Sequence, residues 1–352
     1  MKRTAKLISV MAVLCLFFLG CPAGKPALAE DTGAAGPRPA STIPVLREMI
    51  AESDRTMEEM AQLGYYALPT ELVAALVEPA EPYAPTGESA PVREGSVDLT
   101  VAARIEEREN DGSTAFSIAA LLTVNGRMVD FELDSSRSTD GLLLTTLQSN
   151  RDYLLPLHAE QLPAEEGGNE IMLVLMGCCP EQALYLDAQY LTCHFNADRA
   201  AEGAVVLPCP EERMDRVVTI RDRKDAPELM MKPMVAPGEQ LGFESDHRGH
   251  VLIRTKPSPT LHFYIDNMSM DDLSGQRTGL MAFSVDGILQ PVWDGQLIGE
   301  VRLQEDDLMK VVQLKTDFAS GERHSICWYY FDTVSAGEWK AWDRICVTVE
   351  VR

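Results

Sequence analysis

Cysteine is the residue type whose spacing in this chain predicts the most definite chemistry. Cys327 and Cys346 lie on the last two predicted strands, so a disulfide across those strands is expected if the protein is exported. The other cysteines have two possible interpretations. They either form a second disulfide that includes Cys193 or bind a metal. A structural zinc site usually contains a C-x2–4-C pair, which this chain lacks, so no metal site and no cofactor are predicted. The residues concerned are Cys178, Cys179, Cys193, His194 and Cys209.

Two further polar clusters have residue types that bind metals. His247 and His250 are three positions apart, but the glycine between them disfavours a helix, so an exposed loop is predicted there. Asp266, Asp271 and Asp272 supply oxygen ligands of the kind that Ca²⁺ prefers. Their spacing matches no EF-hand, and a solvated acidic loop is the favoured interpretation.

Catalytic signatures are absent from the sequence. It contains no G-x-S-x-G, no H-E-x-x-H and no G-x-x-x-x-G-K-[ST] motif. We therefore predict a non-enzymatic protein. The alternative is an extracytoplasmic hydrolase with an acidic dyad, because two of the 54 acidic residues can meet in space without leaving a sequence signature.

Tryptophans are concentrated in the second half of the chain. Trp328 lies in an apolar run and is predicted to be buried. Trp339 and Trp342 lie near a turn, where exposed aromatic rings offer a contact surface to a carbohydrate or a peptide. They are the candidate binding residues.

The N-terminus has the pattern of an export signal over residues 1–29. Lys2, Arg3 and Lys6 precede an uncharged apolar run from Leu7 to Gly20, which is shorter than the about 20 residues of a membrane-spanning helix. Ala27-Leu28-Ala29 is a possible signal-peptidase site, and a retained anchor is a further alternative.

Phe18-Leu19-Gly20-Cys21 resembles the lipobox of bacterial lipoproteins. The family prefers Leu at the position of Phe18 and a small residue at that of Leu19, so the resemblance is partial. It implies that Cys21 receives a lipid and that the protein is held at the cell membrane or cell surface. Cleavage after Ala29 would instead give a secreted protein.

The charge of the chain excludes some classes of partner. After residue 20 it has 28 basic and 54 acidic residues, a net charge of −26. Nucleic acids and anionic lipid surfaces need basic patches, so no nucleic-acid partner is predicted.

Two β domains are predicted after a linker. Residues 30–95 are assigned to a linker with short helices, namely an amphipathic helix over Pro44 to Leu63 and an apolar piece from Leu72 to Val77 capped by Thr70. From Val97 the apolar period changes to two. Sandwich domains are predicted over residues 96–207 and 238–352, joined by a Pro- and Met-rich linker over 208–237.

The same hairpin pattern occurs in both predicted domains. Asn125-Gly126 and Asp286-Gly287 each separate two apolar runs, as a type I′ turn requires. Ile171 to Met176, predicted to be a buried strand, corresponds to Ile326 to Tyr330. The alternative is one large sandwich whose strands only look alike.

This pattern is similar to the tandem Ig-like or fibronectin-type modules of exported bacterial proteins, although the Cys…Trp…Cys immunoglobulin signature is absent. The resemblance implies a mainly β protein that presents antiparallel β-sandwiches for binding or for envelope assembly. A protein or carbohydrate partner is expected. An exposed edge strand would favour a protein partner that adds a strand.

Overall fold

The computed structural model describes most of the chain after residue 39. The described residues are 40–62, 70–78, 90, 92–93, 95–108, 114–179, 184–201, 204–205, 207, 216–222, 234–236, 238–245, 251–266, 276–293, 295–335 and 342–352. Within them the chain forms one helix and 21 strands, so the mainly β fold class is confirmed. The predicted export signal lies outside the described residues.

Domain 1 is an antiparallel sandwich of two sheets. One sheet has the order β1-β3-β9-β6-β7, with β2 on β3, and the other has the order β11-β10-β4-β5, with β8 on β4. The core between them is apolar and includes Leu99, Phe116 and Leu173. The strands are β1 (Thr70–Val77), β2 (Val92–Arg93), β3 (Ser96–Glu107), β4 (Ala115–Val124), β5 (Arg127–Met128), β6 (Glu132–Leu133), β7 (Ser136–Arg137), β8 (Leu142–Gln148), β9 (Asp152–Ala159), β10 (Gly167–Cys179) and β11 (Leu184–Ala197).

Domain 2 is a second sandwich of two sheets. Its sheets have the orders β12-β19-β15 and β13-β14-β21-β20-β16-β17, with β18 on β16, and β14 runs parallel to β21. Trp328 is fully buried in its core, as predicted. The strands are β12 (Val217–Ile220), β13 (Gln240–Ser245), β14 (Val251–Thr255), β15 (Thr260–Asp266), β16 (Arg277–Val285), β17 (Ile288–Gln290), β18 (Gly299–Leu303), β19 (Met309–Lys315), β20 (Arg323–Ser335) and β21 (Trp342–Val351).

The repeat is visible in the strand pairing. In domain 1, β4 pairs with β5, β8 and β10; in domain 2, β16 pairs with β17, β18 and β20. The turns have the same backbone: φ is 49° at Asn125 and Asp286, and 77° at Gly126 and Gly287. Positive φ at both central residues is the type I′ geometry.

Three described segments outside the predicted sandwich domains are strands, the shortest of which is β2, paired with β3. The sequence predicts a short helical piece over Leu72 to Val77 capped by Thr70, but Thr70–Val77 pairs with β3 along its whole length, from Thr70 opposite Glu107 to Val77 opposite Thr100. An apolar run this short fits either secondary structure, and here pairing with a neighbouring strand decides the outcome. Within the predicted linker over 208–237, Val217–Ile220 is a strand that pairs with β19.

Helix α1 (Pro44–Gln62) lies on the outer face of domain 1 and confirms the helix predicted from Pro44. Leu46 and Ile50 are buried against Val73, Val77 and Ala102 of β1 and β3. An isolated helix of this length is marginal in water, so this contact stabilises it.

A buried ionic group fixes the start of the helix. Arg104 is 2% exposed; its Nε lies 2.6 Å from Glu106 Oε2 and its Nη1 lies 3.2 Å from Asp152 Oδ1. The backbone N–H of Thr42 donates to Asp152 Oδ2 at 2.6 Å. Burial acts to raise the pKa of Asp152, but hydrogen bonds from Thr42, Ser41 and Arg104 outweigh it and lower the pKa. The helix is therefore tied to domain 1 by charge-assisted hydrogen bonds as well as by apolar contact.

Gly279 on β16 is a position where the packing requires glycine. A Cβ added there would overlap the ring and hydroxyl of Tyr330, which is 2% exposed and donates to Asp332 Oδ1 at 2.7 Å. We expect Gly279→Ala to lower the free energy of unfolding by about 1–3 kcal/mol through overpacking. Urea denaturation measures the change.

The matched control is Gly168→Ala in domain 1. The nearest heavy atom to a Cβ at Gly168 is Asn196 Oδ1, at 3.8 Å, and its φ is not positive. The control variant should unfold within about 0.5 kcal/mol of wild type. Equal effects of the two substitutions would contradict the close approach of Tyr330 to β16.

Candidate functional site

The two sandwiches pack against each other through one outer face of each. In domain 1 this face belongs to the sheet of β4 and β10, and in domain 2 to the sheet of β16 and β20. Tyr329 donates its hydroxyl to the carbonyl of Gly177 at 3.2 Å across the interface, and the rings of Tyr190 and Phe331 are 5.8 Å apart. The buried residues are Ala119, Leu121, Met128, Leu142, Met172, Val174, Met176 and Ala188 of domain 1, with Leu280, Ala282, Ile298, Cys327, Tyr329 and Phe331 of domain 2.

Equivalent positions of the two repeats supply this interface. The 161-residue shift that relates Gly126 to Gly287 also relates the β4 residues of the interface to those of β16. The 155-residue shift that relates Ile171 to Ile326 does the same for β10 and β20. An interface between equivalent patches is the arrangement found in two-fold symmetric dimers, here within one chain. The pairs are Ala119 with Leu280, Leu121 with Ala282, Met172 with Cys327, Val174 with Tyr329 and Met176 with Phe331.

One end of the interface is polar, and we call it the polar rim. A groove of about 520 Å³ opens there between the β4–β5 turn of domain 1 and strands β16, β18 and β20 of domain 2. Nη2 of Arg127 lies 3.4 Å from Oε1 of Glu165, and Nη2 of Arg302 lies 2.6 Å from Oε1 of Glu300. The groove therefore carries paired charges of both signs. The lining residues are Asn125, Gly126, Arg127, Glu165, Gln276, Thr278, Glu300, Arg302 and Thr333.

Each hairpin turn is braced to the neighbouring strand in the same way. In domain 1 the N–H of Glu170 donates to Asn125 Oδ1 at 2.9 Å, and Asn125 Nδ2 donates to Asn169 Oδ1 at 2.7 Å. In domain 2 the N–H of Ser325 donates to Asp286 Oδ1 at 2.8 Å. His324 takes the place of Asn169, with its Nδ1 2.8 Å from Asp286 Oδ2. The neutral amide pair of domain 1 is thus a histidine–carboxylate pair in domain 2.

The His324 pair makes the stability of domain 2 depend on pH. Burial acts to lower the pKa of His324, but hydrogen bonds to Asp286 and Glu322 outweigh it and raise the pKa above 6.5. A raised folded-state pKa gives stability that is fully present below about pH 6.5 and is lost as the pH rises through the folded-state pKa. We therefore expect the stability of wild type relative to His324→Asn to fall as the pH rises from about 5 to about 9.

Chemical denaturation of both proteins across that range measures this difference. His158 also has a raised pKa, because of hydrogen bonds to Asp98 and Glu160. Since both proteins contain His158, its contribution to the pH dependence of stability cancels in this comparison. A difference between wild type and His324→Asn that stays constant with pH would contradict the expectation.

Strand β13 is an open edge of the seven-stranded sheet of domain 2. Among the described strands it pairs only with β14, and none of its residues is buried. Leu241 and Phe243 are 52% and 46% exposed. Glu244 is paired with Arg254 of β14, which lowers the pKa of the Glu244 carboxyl. An exposed edge with apolar side chains is a template for pairing with another strand.

The cysteines of the described region occupy two environments. Cys327 and Cys346 are direct cross-strand partners on β20 and β21 and are joined as a disulfide. Cys193 is unpaired and buried in the core of domain 1, where burial and the charge of Glu170 raise the pKa of its thiol to about 11. A thiol with so high a pKa is a poor nucleophile. The side chains of Cys178 and Cys179 are outside the described part of the structure, as is Cys209.

The other predicted site residues lie mostly where the structure gives no description. Cys21, Trp339, His247 and His250 are outside the described residues, and only the backbone of Trp342 is described, at the start of β21. The lipid-attachment and aromatic-surface predictions therefore stay predictions. Within the described residues, no group of three or more His, Cys, Asp or Glu side chains has the geometry to hold a metal ion.

The carboxyl groups of the described residues whose pKa differs from the ordinary value all have a lowered pKa. Those of Asp152, Glu244, Glu322 and Glu350 are all lowered, mainly by hydrogen bonds that for Asp152 outweigh burial. A carboxyl group that acts as general acid near neutral pH needs a raised pKa. These four groups therefore lack that property.

Sequence reasoning missed the interface and the open edge. The interface had a signal: apolar runs such as Ile171 to Met176 continue on both faces of a strand, so two layers must cover it. The open edge had none, because Leu241 and Phe243 alternate with other residues as half-buried strands do.

Comparisons with known proteins give no family for this chain. No family model matches it, and no curated protein matches it. Among solved structures it is similar to the CsuC–CsuE chaperone–tip adhesion subunit complex of Acinetobacter baumannii, with 11% identity, coverage of 73% of this chain and 93% of that chain, and a TM-score of 0.17.

Two other solved structures are similar at the same level. The periplasmic chaperone SfaE has 10% identity, coverage of 80% and 100%, and a TM-score of 0.19. The C-terminal domain of the Streptococcus agalactiae AgI/II polypeptide BspA has 7% identity, coverage of 80% and 100%, and a TM-score of 0.17. Sequence identities and TM-scores this low carry no argument about function, so the function is inferred from the residues of this chain. Within the described residues, no helix has the length and apolarity that crossing a membrane requires.

Proposed function

We propose that this chain is an exported, non-catalytic binding protein of the bacterial cell envelope, and that a protein partner adds a strand to β13. The observation that carries the proposal is the open edge of β13 with Leu241 and Phe243 exposed. The export pattern of residues 1–29 supports the location.

Strand addition fits the energetics of β13. The strand has no buried residue, so it gains little from the core of domain 2. A partner strand would satisfy the backbone groups on its outer edge and cover two large apolar side chains. Burial of a half-exposed Leu or Phe contributes about 1 kcal/mol, half of the usual value for full burial.

Charge selects among extended partners. The chain after residue 20 has a net charge of −26. The partner is therefore an extended segment with apolar residues at alternate positions and with basic residues beside them.

A displayed library of random peptides of about 12 residues tests this site on the whole protein. We expect the retained peptides to alternate apolar residues and to carry net positive charge. In wild type they should protect backbone amides of β13 from hydrogen exchange. The double variant Leu241→Lys, Phe243→Lys should weaken their binding by at least tenfold, because two buried apolar contacts are lost and positive charge is added.

Val218→Lys is the matched control, since Val218 is also an exposed apolar residue, 45% exposed, on β12 in the other sheet of the same domain. It should bind the peptides as wild type does. Retained peptides that bind the double variant equally well, or a library from which wild type retains none, would overturn the assignment of β13.

Anchoring through Cys21 is proposed on the lipobox resemblance. Intact mass and detergent partitioning of the native protein test it. Wild type should enter detergent with a mass increase of acyl size, and Cys21→Ala should stay in the aqueous phase. A wild-type protein that stays aqueous and begins at Glu30 would overturn the anchor and leave a secreted binding protein.

A further inference from the structure

The two faces of strand β13 carry different chemistry. Phe243 lies directly opposite Ile253 of β14, and residues that are opposite each other on neighbouring strands share one face of the sheet. Ile253 is fully buried in the core of domain 2, whereas Phe243 is 46% exposed. The core side of the sheet therefore ends at the open edge with an aromatic ring that is half uncovered.

The face away from the core carries charges whose sign alternates from strand to strand. Arg323 of β20 is opposite Glu350 of β21, and Glu350 is opposite Arg254 of β14. Nε of Arg254 lies 3.6 Å from Oε1 of Glu350, and Nη2 of Arg254 donates to Oε2 of Glu244 on β13 at 2.8 Å. Opposite charges on adjacent strands stabilise a sheet, and like charges destabilise it. We call this series the charge ladder, and its members are Arg323, Glu350, Arg254 and Glu244.

The charge ladder ends on a carboxylate at the open edge. Glu244 is its last member, and the side chain of Glu244 is 60% exposed. Among the described strands β13 pairs only with β14, so no described strand continues the ladder beyond Glu244. Continuing the alternation of sign requires a positive charge on the next strand.

We propose, on the basis of the strand addition inferred for β13, that Glu244 is a specificity residue: the added strand carries a basic side chain on the Glu244 face and apolar side chains on the Phe243 face. Another β13 strand does not fit, because Gln240–Ser245 contains one acidic residue and no basic residue. The partner is therefore a segment of different sequence, in which basic and apolar residues alternate so that each type occupies one face of the strand.

Selection from the displayed peptide library on wild type and on Glu244→Lys tests the role of Glu244. Peptides retained by wild type should carry Lys or Arg at alternate positions, between the apolar residues. With Glu244→Lys these positions should change to acidic or neutral residues, because like charges would otherwise lie opposite each other.

A single retained peptide gives the size of the effect. Its basic residues are replaced by Gln one at a time. At least one replacement should weaken binding to wild type about three- to fivefold, and the same replacement should leave binding to Glu244→Gln within about 1.5-fold.

Glu305→Gln is the matched control, because Glu305 is an exposed residue between β18 and β19 of the same domain and its replacement removes the same charge. This variant should bind the peptides as wild type does. Equal losses of affinity for Glu305→Gln and Glu244→Gln would overturn the role of Glu244 and assign the preference to the overall negative charge.

The outcomes for Glu244 and for strand addition can be told apart. Retained peptides that protect the β13 amides, but have the same basic positions with wild type and Glu244→Lys, would overturn the role of Glu244 and leave strand addition in place. A library from which wild type retains no peptide would overturn both.

Discussion

Replacing Asp332 with alanine is expected to lower the free energy of unfolding by about 3–5 kcal/mol. Asp332 is 1% exposed, and its Oδ2 lies 3.7 Å from Nη1 of Arg277, which is 2% exposed. The substitution leaves a buried guanidinium without this carboxylate and also removes the acceptor of the Tyr330 hydroxyl. Urea denaturation followed by tryptophan fluorescence measures the loss, since Trp328 stacks near Tyr330 in the same core.

Two further variants separate the charge from the packing. Tyr330→Phe removes one hydrogen bond to Asp332 and should cost about 1 kcal/mol. Arg277→Met combined with Asp332→Leu removes both charges and should be less destabilising than Asp332→Ala alone. A double variant that is less stable than Asp332→Ala would contradict the view that removing the carboxylate beside the buried Arg277 guanidinium dominates the loss.

Leu121→Asp is expected to separate the unfolding of the two domains. Leu121 is fully buried in the domain interface, and removal of a buried Leu side chain alone costs about 2–5 kcal/mol. A carboxylate at that position adds the cost of burying an unpaired charge. Calorimetry should therefore show two unfolding transitions in the variant. The docked domains of wild type should unfold in a single transition.

Ser117→Asp is the control for this experiment. Ser117 lies on the same face of β4 as Leu121, four residues earlier, and is exposed. The control should keep the single transition of wild type. Two separate transitions already present in wild type would show that the interface contributes little to the stability of either domain.

Local patterns predicted much of the fold. The Asn125-Gly126 and Asp286-Gly287 dipeptides predicted both hairpins, because the positive φ of a type I′ turn leaves few alternatives. The apolar run from Ile171 to Met176 predicted a buried strand, and all six of its residues are buried. Such features depend on residues close together in the chain.

Other features depend on contacts between distant segments. The run from Leu72 to Val77 was assigned to a helix because its length fits either structure, and only its pairing with β3 makes it a strand. Asp332 finds Arg277 55 residues away through the pairing of β16 with β20. The open edge of β13 is likewise a property of the completed sheet, since sequence does not state which strand comes last.

The pairing of equivalent faces within one chain changes what a single mutation can do. In a homodimer every substitution appears twice, so the two ends of the interface must change together. In this chain the two faces are encoded separately, and each can evolve alone. The contrast between Val174 and Tyr329, which occupy equivalent positions on the two faces, is the kind of divergence that such independence permits: only one of the two faces supplies a hydroxyl that donates a hydrogen bond across the interface.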